Sequence, residues 1–343
     1  MSREKQVILS VRDLTKLYRS AGSAFASGRS NAVRAVDGVS FDLYEGETLG
    51  LVGESGCGKS TVGRLLVGIE TPSAGTVLYR GRSFAERSAG ERRSVRTELQ
   101  MIFQDPYAAL NPRKHIYDIL SAPMLYHGLA GRGNVGEKVD ALLAQVGLPK
   151  NARDRYPHEF SGGQRQRIVI AKALSLNPRV IICDEPVSAL DNSIQAQVLN
   201  LLKELQAEHG LSYLYIAHGL GTVHYVSRRV AVMYLGRIVE MADSEEIFRN
   251  PMHPYSQMLI SSVPVADPDW RNRSVMIPKG EIPSVVNIPS GCRFHDRCPY
   301  ADERCRTEAP ALRRIETAGT VPPQIPHEAA CHYAERIRGG GAA

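Results

Sequence analysis

The sequence predicts an α/β fold, and three features carry that prediction. Two short apolar runs, Thr48 to Val52 and Val180 to Cys183, have the length and composition of buried strands, and a glycine-rich turn leads from the first of them into a helical pattern. Strands alternating with helices pack into parallel sheets with covered faces. At 343 residues the chain has room for one large α/β domain with an extension, or for two medium domains. Its apolar fraction of 43% suits a full core.

Taken in order, residues 7 to 52 read as alternating strands, interrupted by a Gly/Ser/Ala-rich loop from Ser20 to Ser30. The turn that follows, Gly53-Glu54-Ser55-Gly56-Cys57-Gly58-Lys59-Ser60-Thr61, fits the phosphate-binding pattern G-x-x-x-x-G-K-[ST] at every fixed position, and Thr61 to Ile69 continues it as a helix. A triphosphate is a dense anion. Backbone N–H groups converging at a helix N-terminus offer it donors and a favourable dipole together, and glycines let the backbone approach. Lys59 is placed to reach the terminal phosphates and the Ser60 hydroxyl to ligate Mg²⁺.

A polar helical stretch spans Ala85 to Glu98, and from Gln104 to Ser161 the pattern is helical, with amphipathic spacing from Lys138 to Val146. Phe160-Ser161-Gly162-Gly163-Gln164-Arg165-Gln166-Arg167 is then followed by a helical run from Ile168 to Leu176. The second apolar run ends in Asp184-Glu185-Pro186, two carboxylates at the C-terminal edge of a strand, where open α/β sheets bind ligands. Asp184 is placed to hold Mg²⁺, and Glu185 to orient and deprotonate an attacking water. The apolar run Tyr213 to Ala217 ends at His218. After Met241 prolines recur from Pro251 to Pro326 and periodicity fades.

With Ser-Gly-Gly-Gln opening a helix, the chain resembles the ATPase subunit of an ATP-binding cassette (ABC) transporter, whose signature that sequence is. The resemblance implies a P-loop NTPase (RecA-like) core with an antiparallel β subdomain and a helical subdomain, and then an irregular C-terminal extension. It divides the chain into an ATPase domain at 1–240, its helical subdomain at about 105–160, an accessory domain at 241–335, and a disordered tail at 336–343. Catalytic roles fall to Glu185, His218, Gln104 and Lys59. Tyr18 corresponds to the aromatic residue that stacks on adenine, Gln104 to the glutamine that touches Mg²⁺ and water, and His218 to the switch histidine at the γ phosphate. The signature residues Ser161, Gly162, Gly163 and Gln164 would act on the ATP of a second subunit, as would Asp191 in Ser188-Ala189-Leu190-Asp191. Gly219 stands after the switch histidine where similar proteins usually carry aspartate.

The likeness narrows to importers of oligopeptides, dipeptides and nickel. It is carried by Phe103-Gln104-Asp105-Pro106 continuing to Arg113, Tyr156 to Phe160, Arg229 to Gly236 and His253-Pro254-Tyr255. The implied activity is ATP hydrolysis that powers uptake of peptides, with nickel chelates or glutathione as alternative cargo. The implied partners are a second ABC ATPase subunit, two permease subunits and, through them, an extracytoplasmic substrate-binding protein. A soluble ABC ATPase acting on nucleic acid or the ribosome is the rival reading, but the long coiled-coil insertions and tandem cassettes of such proteins are not found in this sequence.

Four of the six cysteines, Cys292, Cys298, Cys305 and Cys331, crowd the extension. In a reducing compartment, thiols gathered this way are metal ligands rather than disulfides. Their spacing matches neither the tight pairs of common zinc sites nor the ferredoxin runs. In the resembled subgroup a [4Fe–4S] cluster on these cysteines is implied for some members; Zn²⁺, with His295 or His332 as substitute ligands, and free thiols or disulfides remain open. The net charge is +6 and the pI near 9.0, but basic and acidic residues interleave, so no stripe for direct nucleic-acid binding is expected. No apolar run approaches the ~20 residues that span a bilayer, and the N-terminus lacks a secretory pattern. The expected location is the cytoplasmic face of the membrane, peripheral and held by partners.

Overall fold

The computed structural model describes residues 6–19, 32–262, 287–316 and 325–337, so the Ser20 to Ser30 loop and the tail from 338 lie outside the described residues. The strands are β1 (Val7–Arg19), β2 (Ala32–Tyr44), β3 (Thr48–Val52), β4 (Ala74–Tyr79), β5 (Arg82–Ser83), β6 (Leu99–Ile102), β7 (Val180–Asp184), β8 (Ser212–Ala217), β9 (Arg229–Tyr234), β10 (Arg237–Asp243), β11 (Arg313–Arg314) and β12 (Glu328–Ala329). The chain divides into two compact units, one made of residues 1–9, 43–48 and 78–216, the other of residues 10–42, 49–77 and 217–343.

In the first unit β6, β7 and β8 lie side by side and parallel, with Ile102 opposite Cys183 and Cys183 opposite Tyr215. All five residues of β7 are buried, as a strand covered on both faces requires. This register sets the ends of β6 and β7 level. Whatever follows Ile102 therefore emerges beside whatever follows Asp184.

The amphipathic stretch is the helix Val135–Gln145, which buries Val135, Val139, Leu142 and Leu143 at the i, i+4, i+7, i+8 positions of one face. The signature helix runs from Gly162 to Leu174, beginning six residues before Ile168, where the helical run was expected to start. Its start is set by Ser161, whose hydroxyl accepts from the Gln164 N–H at 3.4 Å while the Gln164 Oε1 accepts from the Ser161 N–H at 3.1 Å, a reciprocal cap.

In the second unit β9 pairs in parallel with β3 and antiparallel with β10. β12 adds to the outer margin of β10 through Glu240 opposite Ala329, and β11 adds to β12. The proline-rich segment thus supplies two strands that cover the edge of this sheet. At two residues each they are too short to show alternation in sequence.

Below them a small core joins Met252, Ile315, Ala329 and Ala334, with Cys331 packed against it. Beside it lies Glu240, which is fully buried. Its carboxylate accepts the backbone N–H groups of Met252 at 2.7 Å and His253 at 3.0 Å and faces His327 Nε2 at 2.6 Å. A buried carboxylate tolerates removal from water only with such a full set of partners. His253, also buried, is pushed down to about 4 by burial, and its Nδ1 accepts from the Tyr255 N–H at 3.1 Å.

Candidate functional site

The glycine-rich turn leaves β3, whose five residues are all buried, and enters the helix Lys59–Leu66. Gly58 is the cap of that helix with φ 107°, and a Cβ there would lie 2.0 Å from the carbonyl oxygen of Ala35. Only glycine fits both demands. No side chain caps this helix and its first turn holds no acidic residue, as suits a helix N-terminus that receives an anion.

Lys59 is 4% exposed, and its ammonium donates to the carbonyls of Gly53 at 2.7 Å and Glu54 at 3.0 Å. The loop thus holds its cation poised over its own backbone. Cys57 is buried, and burial raises its thiol above the ordinary range, which disfavours the thiolate. Ser60 and Thr61 are half-buried.

Tyr18 lies in the same unit, partly exposed, its hydroxyl hydrogen-bonded to Glu70 and the Lys16 ammonium 5.2 Å from its ring centre. Burial first, and then Glu70, raise its phenol above the usual value. His218 follows β8 as an exposed residue. Gly219 is the N-cap of the short helix Leu220–Val226 and offers no side-chain bond to it. Aspartate at this position would cap that helix, and glycine gives up a few tenths of a kcal/mol by comparison.

In the other unit, Asp184 ends β7 and is 3% exposed. Glu185 takes a left-handed backbone, φ 47°, with its N–H donating to the Ile216 carbonyl at 2.9 Å. For a residue with a Cβ that conformation costs on the order of 1 kcal/mol, and such positions cluster at functional sites. Its Oε2 accepts from Gln104 Nε2 at 2.9 Å. The level ends of β6 and β7 thereby join two candidates that lie 81 residues apart.

The exposed Ser161 and Gln164 cap the signature helix, while Gly163 is buried because a Cβ there would stand 2.4 Å from Ile194 Cγ2. Asp191 is the exposed N-cap of the helix Asn192–His209. In this unit Asp184 and Glu185 thus lie at the end of a strand, and Ser161 and Asp191 at the starts of helices.

Cys292, Cys298, Cys305 and Cys331 line one cavity of about 10 Å³ together with His295 and His332, and all four are free thiols. Burial first and neighbouring thiols second raise Cys298 and Cys331 to about 12. Among the described residues no group of three or more His, Cys, Asp or Glu side chains stands at metal-holding spacing. Four soft sulfur donors fit an iron–sulfur or zinc centre in kind, but a space the size of one water would have to open for it. Of the histidines, His295 engages both ring nitrogens, Nδ1 facing the Cys292 carbonyl at 2.8 Å and Nε2 facing Asp296 at 2.9 Å, while His332 faces the Glu308 carbonyl through Nε2 at 3.0 Å.

Sequence patterns did not disclose that the phosphate loop is also held by Tyr255 and Arg297. Tyr255 Oη accepts from the Glu54 N–H at 2.7 Å, and Arg297 grips the Glu54 carboxylate at 2.8 and 3.0 Å.

The ABC transporter family model matches residues 36–188, and that of the oligopeptide/dipeptide transporter C-terminal region matches residues 239–305. The oligopeptide transport ATP-binding protein AppF of Bacillus subtilis is 48% identical over 96% of this chain and 98% of its own length. OppF of Salmonella typhimurium is 50% identical over 90% and 93%. The di/tripeptide transport ATP-binding protein DppF of Pseudomonas aeruginosa is 46% identical over 97% and 100%. Among solved structures, cbiO1 of Clostridium perfringens, part of the ABC transporter complex cbiONQ, superposes with a TM-score of 0.61 at 27% identity, covering 71% of this chain and 91% of that one. The cassette MJ0796 superposes at 0.60 with 23% identity, which speaks to the fold alone.

The fold and these matches define a P-loop ATPase cassette. The chain belongs to the ABC transporter family, among its peptide-transport ATP-binding proteins.

Proposed function

We propose that this chain hydrolyses ATP to drive an importer of oligopeptides or dipeptides, paired with a second ATPase subunit and docked on two permease subunits at the cytoplasmic face of the membrane. The observation that carries the cargo is the C-terminal match at 239–305 together with relatives named for oligopeptide and di/tripeptide transport that align along nearly the whole chain. Among the described residues no helix is long and apolar enough to cross a membrane.

In this reading Lys59 and the N–H groups of the phosphate loop bind the triphosphate, and Tyr18 receives the adenine. Ser60, Gln104 and Asp184 would hold Mg²⁺, which supplies charge neutralisation. Glu185 takes the proton of the attacking water, held in orientation by Gln104, and His218 contacts the γ phosphate. Ser161, Gly162, Gly163, Gln164 and Asp191 serve the ATP of the second subunit. Phosphoryl transfer asks little more of a protein than this positioning and neutralisation.

Uptake of a labelled tripeptide should vanish in cells lacking the chain and return with the parental protein but not with Lys59→Ala. Normal uptake without the chain refutes the peptide assignment. For the four cysteines we propose an iron–sulfur cluster, supported by the four soft sulfur donors that line one cavity, with zinc second. Protein purified without oxygen should carry iron and sulfide in equal amounts. Zinc alone, or no metal, rejects the cluster.

A further inference from the structure

The second residue of the phosphate loop is acidic. Glu54 places a carboxylate in the loop that receives a polyanion, and an unpaired charge there repels what the loop exists to bind. Every polar group of this residue is nevertheless occupied. Its N–H donates to Tyr255, its carbonyl accepts from Lys59, and its carboxylate takes both terminal nitrogens of Arg297, Nη1 to Oε2 at 2.8 Å and Nη2 to Oε1 at 3.0 Å. This two-pronged geometry is the strongest form of such a pair.

Arg297 comes from far along the chain, 243 residues after its partner, in the short turn His295–Arg297 that leads into Cys298. Its side chain is 5% exposed. Its guanidinium lies 5.7 Å from the Phe294 ring centre and 5.9 Å from that of Tyr234, and Tyr234 in turn packs on Tyr255 at 4.5 Å. A cation enclosed by aromatic rings and a single carboxylate has one stable position. The buried Nε of Arg297 has no hydrogen-bond partner, and beyond the carboxylate the terminal nitrogens meet only neutral groups, Tyr234 Oη at 3.5 Å and the Met258 sulfur at 3.7 Å, so Glu54 supplies the compensating charge.

We propose that Arg297 is a positioning residue for nucleotide binding: it cancels the Glu54 charge and, with Tyr255, fixes the backbone of the phosphate loop, so that the proline-rich C-terminal region completes the ATP site. The inference rests on the reading of Gly53 to Thr61 as the triphosphate loop.

The test is the dissociation constant for MgATP, measured by calorimetry on the full-length chain and its variants, with kcat and KM alongside. Arg297→Ala should bind MgATP about tenfold more weakly, since it exposes one uncompensated negative charge to the phosphates, and KM should rise more than kcat falls. Adding Glu54→Gln to that variant should restore most of the affinity, because it removes the charge that Arg297 cancels. Glu54→Gln alone, nearly isosteric, should bind at least as tightly as the parent. If Arg297→Ala does not fold, Arg297→Gln takes its place in the same comparisons.

Binding within twofold of the parent in the arginine variant overturns the inference. So does a double variant as weak as the single one, which reduces Arg297 to a structural tether, or a tenfold loss in Glu54→Gln alone. A parental chain that does not bind MgATP at all refutes the nucleotide reading itself, and the inference with it.

Discussion

Glu185→Gln is expected to lower ATP turnover by about 10²- to 10⁴-fold while leaving nucleotide affinity intact, which is the range a positioned general base contributes. The substitution retains the size of the side chain and an oxygen able to accept from Gln104 Nε2, so the 2.9 Å contact survives. It removes the negative charge and with it the capacity to take a proton. The left-handed backbone at this position is unchanged by it, and folding should be too. With chemistry stopped and binding preserved, MgATP should hold two subunits together, visible as a dimer in size-exclusion chromatography that the parent forms only transiently. Parental turnover in this variant would remove Glu185 from the role of base.

The second large effect concerns stability. Glu240→Ala should cost about 3–5 kcal/mol, the usual result of removing one partner from a fully buried polar cluster. The variant strands the N–H groups of Met252 and His253 and the ring nitrogen of His327 in a dry interior, and it leaves a void beside Met252 and Ala329. Glu240→Gln, which can still accept one N–H, should lose less. Urea midpoints of the two variants measure the difference. Equal midpoints for parent and Glu240→Ala would mean that the cluster contributes nothing net.

The parts of this site that sequence disclosed are those encoded over a few residues. The phosphate loop is fixed by its own spacing, and the strand before it was predicted at the bounds it has, Thr48–Val52. The signature helix was recognised by Ser161 and Gln164, the two residues that cap it. Helix limits were less legible, because apolar periodicity marks the buried middle of a helix and not its capped ends. The meeting of Gln104 with Glu185 depends on strand register, which no local pattern states. The pairings of Glu240 with His327 and of Glu54 with Arg297 depend on partners 87 and 243 residues away, in a region whose prolines and two-residue strands erase any period. The cost of Gly219, an uncapped helix start after His218, likewise became visible only once Leu220–Val226 was seen as a helix.

The covering of β10 by β12 bears on how such proteins are handled at the bench. A fragment trimmed to the consensus cassette would be born with a raw sheet margin, ready to zip onto a neighbour's, and would aggregate for reasons unrelated to its catalytic competence. Truncations in this group therefore measure stickiness before they measure enzymology.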